Sequence, residues 1–322
     1  MLMMSRKVSM WIACGALVLA VAPWLFGRQQ GAPPADFANV ELRVLPVQGS
    51  VHMLYAGSAG NIAVQAGKDG VLLVDALYGA LAPRIAAEVR KITPSPIRYI
   101  INTSADAHHV DGNAALAATG VFGATPAAGR GATILAHENV LNRLTRALTG
   151  EARTSPQRGL PNSEYFGPQK DFYFNGEPIF VFHEPNARTD GDSIVLFRKS
   201  DTIAAGDLFT PGRYPVIDVA KGGSVQGFIN ALNHVLDLAV PERLQDAGTR
   251  IVPGHGRLSN EADVVEFRDM VVIIRDRMRD MIRKGMTLDQ VRSARPTRDY
   301  DPEFGSGDQL VEAMYRSLTA AR

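Results

Sequence analysis

Short β-rich runs and amphipathic helical stretches alternate twice along this chain, and that double alternation narrows the folds open to it. Val51–Tyr55, Asn61–Gln65 and Val71–Val74 read as strands separated by turns at Gly57–Gly60 and Lys68-Asp69-Gly70. Leu81–Ile92 has helical spacing, Ile97–Ile101 is a buried-strand run, Ala114–Ala118 a short helix and Ala132–Ala136 a further strand. In the second half, Phe172–Phe174 and Ile179–His183 read as a hairpin across Asn175-Gly176, and Ser193–Arg198 with Thr202–Ala205 as another. Val225–Leu238 is helical and Ile251–Val252 is a strand. Val264, Phe267, Val271, Ile274, Met278 and Ile282 recur along one long amphipathic helix, and short helices follow near Leu288–Arg292 and Asp308–Leu318. Two β-meanders, each followed by helices, predict an α/β fold of four layers, an αββα sandwich with helices on both outer faces of a two-sheet core.

The first thirty residues stand apart from that pattern. Arg6 and Lys7 precede an apolar run from Val8 to Phe26, closed by Arg28. A basic start followed by such a run reads as a secretory signal or an N-terminal membrane anchor. Ala20-Val21-Ala22 resembles a cleavage site but Pro23 follows it, so cleavage and anchoring both stay open. The expected organisation is a leader over 1–30, a linker over 31–41, and one domain over 42–322 ending in a helical tail at 285–322. Export follows as the expected localisation, periplasmic or anchored to the inner membrane through residues 8–26.

Composition excludes several partners. With 34 Lys+Arg against 33 Asp+Glu there is no polyanion-binding signature, so nucleic acid is not an expected partner. The single cysteine, Cys14, and both tryptophans, Trp11 and Trp24, lie in the leader. The folded part therefore has no disulfide, no Cys-x-x-Cys pair and no cysteine-rich zinc site, and no stray thiol to misoxidise in an exporting compartment.

Four loops at strand ends concentrate the chemistry: Asn102–Asn113, His183–Asp192, Gly206-Asp207 and Pro253–Gly256. Of seven histidines, His108, His109 and His255 fall inside these loops, and His183 ends the strand at the start of one. His52, His183, His137 and His234 carry no assigned role, and Met270, Met278 and Met281 read as core-filling residues of the long helix.

These loops resemble those of the metallo-β-lactamase superfamily, from about residue 42 to 322. The family's first motif, Asn-Thr-His-x-His-x-Asp-His-x-Gly-Gly-Asn, is matched at both flanks by Asn102-Thr103-Ser104-Ala105-Asp106-Ala107-His108-His109-Val110-Asp111-Gly112-Asn113. Its later motifs align with Arg188-Thr189, Gly206-Asp207 and Pro253-Gly254-His255-Gly256. Asp190–Ser193 and Gly212–Pro215 add segments seen in periplasmic-type members.

The departures from the family pattern decide what the resemblance implies. Members with two metals bind the first ion through three histidines, and the corresponding positions here hold Ser104, Asp106 and Arg188. A guanidinium has donors only and does not deprotonate in proteins, so it cannot ligate a cation. The reading is a first site without metal, in which an Asp106–Arg188 pair replaces the ion. Ser104 is a small space-filler, since no base is placed to activate it as a nucleophile. The second site retains His108, His109, Asp207 and His255, three imidazoles and a carboxylate, a set that suits one Zn²⁺, or Fe or Mn more weakly. The same residues without any ion remain an alternative. Asp75 resembles the family's buried carboxylate that orients a ligand imidazole.

Three functions follow: a one-metal hydrolase of an ester-like or amide-like bond, in which Arg188 holds a substrate carboxylate or developing oxyanion; a catalytically silent binding or accessory protein; or a metal-free enzyme using Asp106 and Arg188. The partner expected in each is a small molecule. Arg213 and Tyr214 are the candidate substrate-binding residues, in a pocket shaped by 145–170 and 208–222 with Arg158 and Tyr165.

Overall fold

A computed structural model describes residues 37–121, 131–146 and 159–320. The expected leader with Cys14 and both tryptophans, most of the expected linker, and Arg158 lie outside the described residues.

The first sheet runs β1 (Arg43–Gln48), β2 (Val51–Tyr55), β3 (Asn61–Gly67), β4 (Gly70–Val74), β5 (Ile97–Ile101), β6 (Thr133–His137) and β7 (Ser163–Tyr165), side by side in chain order. β1 to β4 are antiparallel neighbours, and β4 to β7 are parallel. The second sheet has the order β13 (Ser259–Asn260), β12 (Arg250–Pro253), β11 (Thr202–Gly206), β10 (Asp192–Phe197), β9 (Glu177–Glu184), β8 (Gln169–Phe174). Only β11 and β12 pair in parallel within it.

Alternation along each strand builds the layers, because successive side chains leave opposite faces of a sheet. Met53, Leu72, Val74 and Ile101 point inward to meet Val181, Val195, Phe197 and Val252 of the other sheet. Their neighbours Leu54, Leu73 and Ile100 point outward, under α1 (Ala82–Ile92) and, beyond α2 (Ala107–Val110), under α3 (Asn113–Ala118), through Ile85, Val89 and Leu116. On the second sheet Ile194 and Leu196 are covered by Phe228 and Leu232 of α5 (Val225–Leu238) and Phe267, Val271 and Ile274 of α6 (Glu261–Arg283). The four-layer αββα arrangement is therefore present, with Met270 and Met278 buried in this outer core.

The structure adds elements the sequence pattern did not mark. β1 carries Pro46 and is largely exposed along its length, as an edge strand tolerates. α4 (Glu138–Thr145) follows β6 directly, with the His137 side chain accepting from the Asn139 amide as its N-cap. In the tail, α7 (Leu288–Ala294), the single turn α8 (Asp301–Phe304) and α9 (Asp308–Ala320) pack on the same domain, Val291, Leu310, Val311 and Met314 joining the core of α5 and α6.

The carboxyl ends of β4, β5, β11 and β12 meet along one edge of the sandwich. Asp75, Asn102, Asp207 and His255 follow those strands immediately or within two residues.

Candidate metal centre

The loop after β5 is held in shape by its own flanks. Asn102 and Asn113 exchange side-chain hydrogen bonds at 3.0 and 2.8 Å, and Asn102 Nδ2 also donates to the His109 carbonyl at 2.9 Å. A β-carbon on Gly112 would sit 2.1 Å from the Ala76 carbonyl oxygen, so only glycine lets this loop close on the one after β4. That second loop is turned by two residues with left-handed backbone, Asp75 at φ 70° and Leu77 at φ 52°, a conformation uncommon outside glycine and typical of functional loops. It delivers Asp75 beneath His109. One Asp75 oxygen accepts from the Thr103 amide at 2.8 Å; the other takes the Thr103 hydroxyl at 2.7 Å and faces His109 Nδ1 at 2.8 Å.

That contact turns the other nitrogen of His109, Nε2, toward Asp207, 3.5 Å from Oδ2. His108 Nε2 lies 2.9 Å from the same oxygen. The donor atoms of His108, His109 and Asp207 all fall within 4.8 Å of one another. His255 stands one step back, its Nε2 3.7 Å from Asp207 Oδ1 and its ring 5.1 Å from that of His108. Three of the four residues expected to hold an ion thus converge, and the fourth borders them.

Burial and charge set the protonation of this group. Burial lowers His108, and burial takes His255 down to about 4, so both are neutral imidazoles. Burial would also lower His109, but the Asp75 and Asp207 carboxylates override it and hold the ring at about 10. Asp207, which burial would raise, is kept well below the usual carboxylate range by the two imidazoles. His109 Nε2, Asp207 Oδ1 and His255 Nδ1 are buried and make no hydrogen bond among the described residues. His109 Nε2 and Asp207 Oδ1, buried beside the neutral His108 and His255 rings and without a hydrogen bond, fit a divalent cation of the zinc type, since buried polar groups otherwise find partners.

The neighbouring position is filled by charge of its own. Arg188 is 1 % exposed; its guanidinium forms a salt bridge with Asp106 Oδ2 and lies 3.6 Å from Asp207 Oδ2. Lys221 Nζ meets the other Asp106 oxygen at 3.0 Å and Asp218 at 3.1 Å. Ser104 is buried and its Oγ accepts from the Asp106 amide at 3.2 Å, a local turn contact.

Several sequence expectations are corrected here. Arg188 is 1 % exposed and its guanidinium lies against Asp106 and Asp207, so its burial keeps it from a substrate group. Tyr214 faces away from the cleft: its hydroxyl is shared between the Thr297 carbonyl and Asp301, and its ring packs on Phe304, so it ties down the tail. Tyr165 is likewise buried, its hydroxyl 2.7 Å from Ser193 Oγ. Arg213 is exposed and close enough to His255 to disfavour that ring's protonation. Sequence reasoning missed Lys221, Tyr78 and Asn61. Tyr78 is buried between Phe37, with ring centres 5.1 Å apart, and His108, at 6.5 Å. No spacing marked them, since each is placed by the sandwich rather than by a motif.

The sequence profile of the Metallo-beta-lactamase superfamily matches residues 56–255. No curated protein matches the chain. Among solved structures, the stereoselective inverting sec-alkylsulfatase Pisa1 from Pseudomonas sp. is similar at TM-score 0.62 and 14% identity, and a double mutant of that sulfatase at 0.64 and 13%. Each match covers 85% of this chain and 50% of the other, so the chain spans half the length of the sulfatase it resembles. A metallo-beta-lactamase from Pontibacter korlensis is similar at TM-score 0.55 and 12% identity, over 72% of this chain and 99% of that one.

Proposed function

The chain belongs to the metallo-beta-lactamase superfamily, and from that premise we propose that it is a hydrolase with one divalent ion, held by His108, His109 and Asp207 with His255 beside them. The observation that carries this reading is the convergence of those donor atoms, with His109 Nε2 and Asp207 Oδ1 buried and without a hydrogen bond among the described residues. Solved structures of the same fold are described as a sec-alkylsulfatase and a metallo-beta-lactamase; from them we take the reaction class, hydrolysis of an ester-like or amide-like bond in a small molecule. An ion at this place would supply Lewis acidity and a water acidic enough to give a nucleophile near neutral pH.

The chain's own residues do the rest. Asp75 fixes the His109 ring and directs its Nε2 inward. Asp106 and Arg188 occupy the place of the family's first ion as a neutral pair, and the guanidinium steadies Asp207 from the side, 3.6 Å away. Their role is positional: both are buried and neither reaches the cleft. Arg213, exposed near His255, is the group of this loop that can meet an anionic part of a substrate. We also place the domain outside the inner membrane, either released after removal of the leader or held through residues 8–26. No helix among the described residues is long and apolar enough to cross a membrane, and the apolar run lies outside them.

The test is metal analysis of residues 31–322 after zinc loading, paired with turnover of a panel of sulfate esters, lactones, thioesters and lactams. About one equivalent of zinc, with a hydrolysis lost on chelation and in Asp207→Ala, is the expected result. Less than about a tenth of an equivalent, or full zinc with no turnover across the panel, points instead to a binding or accessory protein of this fold.

A further inference from the structure

The loop that carries His255 is gripped from the opposite sheet by a single residue, through its backbone and its side chain. Asn61 begins β3, is buried, and sends both of its donor groups across the sandwich. Its amide nitrogen donates to the Gly254 carbonyl at 2.8 Å, and its Nδ2 donates to the carbonyls of Pro253 at 2.9 Å and Gly256 at 3.0 Å. Three of the four carbonyls from Pro253 to Gly256 are thereby satisfied by one residue from a strand of the other sheet. The residue before it allows the approach: Gly60 has φ +117°, and a β-carbon there would stand 3.1 Å from the Gly254 oxygen and 3.4 Å from His255 Cε1. On its far side the same loop is tied to the Asp207 turn by the Gly254 amide, which donates to the Gly206 carbonyl at 2.7 Å.

We infer that Asn61 is a positioning residue: it sets the His255 imidazole against Asp207 by holding the 253–256 loop to the first sheet. The imidazole itself has no such hold, because His255 Nδ1 is buried without a hydrogen-bond partner among the described residues. Where His109 is oriented through its ring by Asp75, His255 is oriented through its backbone. With the Asn61 side chain truncated, the Pro253 and Gly256 carbonyls lose their donor while the backbone bond to Gly254 stays, and the loop is free to shift in the cleft, carrying the ring away from Asp207.

The inference rests on the one-ion reading for its consequence but not for its geometry, and the experiment separates the two. Zinc affinity is measured with a competing chromophoric chelator for the wild type, Asn61→Asp, Asn61→Ser, His255→Ala and Asn61→Ser/His255→Ala. Asn61→Asp keeps the shape and removes both Nδ2 donors; Asn61→Ser is the milder variant should the first fail to fold. Each is expected to weaken zinc about 10- to 100-fold, as loss of an orienting partner does, and Asn61→Ser is expected to add nothing in the His255→Ala background. Wild-type affinity in the Asn61 variants, or additive losses in the double variant, would overturn the proposal. If the wild type binds no zinc, the one-ion reading fails. The positioning is then read from the His255 imidazole resonances, which Asn61→Ser is expected to shift while those of His109 stay in place; unmoved His255 resonances refute it.

Discussion

Arg188 and Asp106 face each other as a buried ion pair, and Lys221 closes the second Asp106 oxygen at 3.0 Å. Removing Arg188 leaves two buried carboxylates, Asp106 and Asp207, without its charge, and of the two only Asp106 keeps a lysine, Lys221. Arg188→Ala is therefore expected to cost about 3–5 kcal/mol, seen as a lowered midpoint in urea unfolding. Asp106→Asn should cost less than Arg188→Ala, because Arg188 keeps Asp207 at 3.6 Å. A variant Arg188→Ala as stable as the wild type would mean that the pair is not what fills this site.

The same substitution explains the expected metal count. In the proposed reading Ser104, Asp106 and Arg188 take the positions of the family's three first-ion histidines, where a guanidinium would repel a cation. The wild type should bind no more than about one zinc, and Ser104→His/Asp106→His/Arg188→His should raise that toward two, since three imidazoles complete a tetrahedral set with water. Plasma emission analysis of the dialysed proteins reads both numbers. Two equivalents in the wild type would remove the premise.

Much of this site could be read before any coordinates, and the part that could not has a common cause. Asn102, Gly112, Asn113, Asp207 and His255 were legible because each lies at a strand end inside a motif whose spacing is fixed by local contacts, such as the Asn102–Asn113 exchange at 3.0 and 2.8 Å. The layered fold was legible for a similar reason: strands such as β4 and β10 are apolar on both faces and so must be covered twice. Asn61 and Lys221 were not legible, because they reach the site from 192 and 115 positions away along the chain. Arg188 is 1 % exposed where a substrate contact was expected, since spacing shows which loop a side chain leaves but not how many carboxylates await it. Tyr214 was misread because the tail that claims its hydroxyl arrives some 80 residues later.

Zinc binding should release a proton. With no cation present, Asp75 and Asp207 hold His109 at about 10 against the opposing effect of burial, so near neutral pH the ring is an imidazolium and must lose its proton to become a ligand. Affinity should therefore rise about tenfold per pH unit between pH 6 and 8. Titration calorimetry in buffers of different ionisation enthalpy reads the proton count directly, and a count near zero would contradict the assigned role of His109.

Asp75→Asn probes the support beneath that ring. Asparagine accepts the left-handed backbone that Asp75 adopts at φ 70°, and it can still receive the Thr103 amide. It cannot accept from both Thr103 and His109 as the carboxylate does at 2.7 and 2.8 Å. Zinc affinity should fall about 10- to 100-fold while the circular dichroism spectrum stays unchanged. A loss of fold instead would assign Asp75 to stability first.

His137 gives a pH dependence that is independent of the cleft. Its ring is stacked on that of His183, with centres 3.6 Å apart, and meets Tyr165 edge-on at 5.0 Å; its Nδ1 accepts from the Asn139 amide. Burial first, and the His183 ring second, lower it from 6.5 to about 4, against a weaker opposite pull from Asp190. Between those values the unfolded chain binds a proton that the folded one does not, so stability falls as pH drops from about 6.5 to about 4. Asp192 works in the opposite sense: burial raises it from 3.8 to about 6, so its contribution is lost as pH rises through that window. Comparing the wild type with His137→Asn removes the Asp192 contribution, because both proteins share it, and asparagine preserves the cap on α4. The wild type should lose thermal stability relative to His137→Asn as the pH is lowered from 7 to 4, with a constant difference above about 7.5. A difference independent of pH across that range would show that the His137 imidazole titrates alike in the folded and unfolded chain.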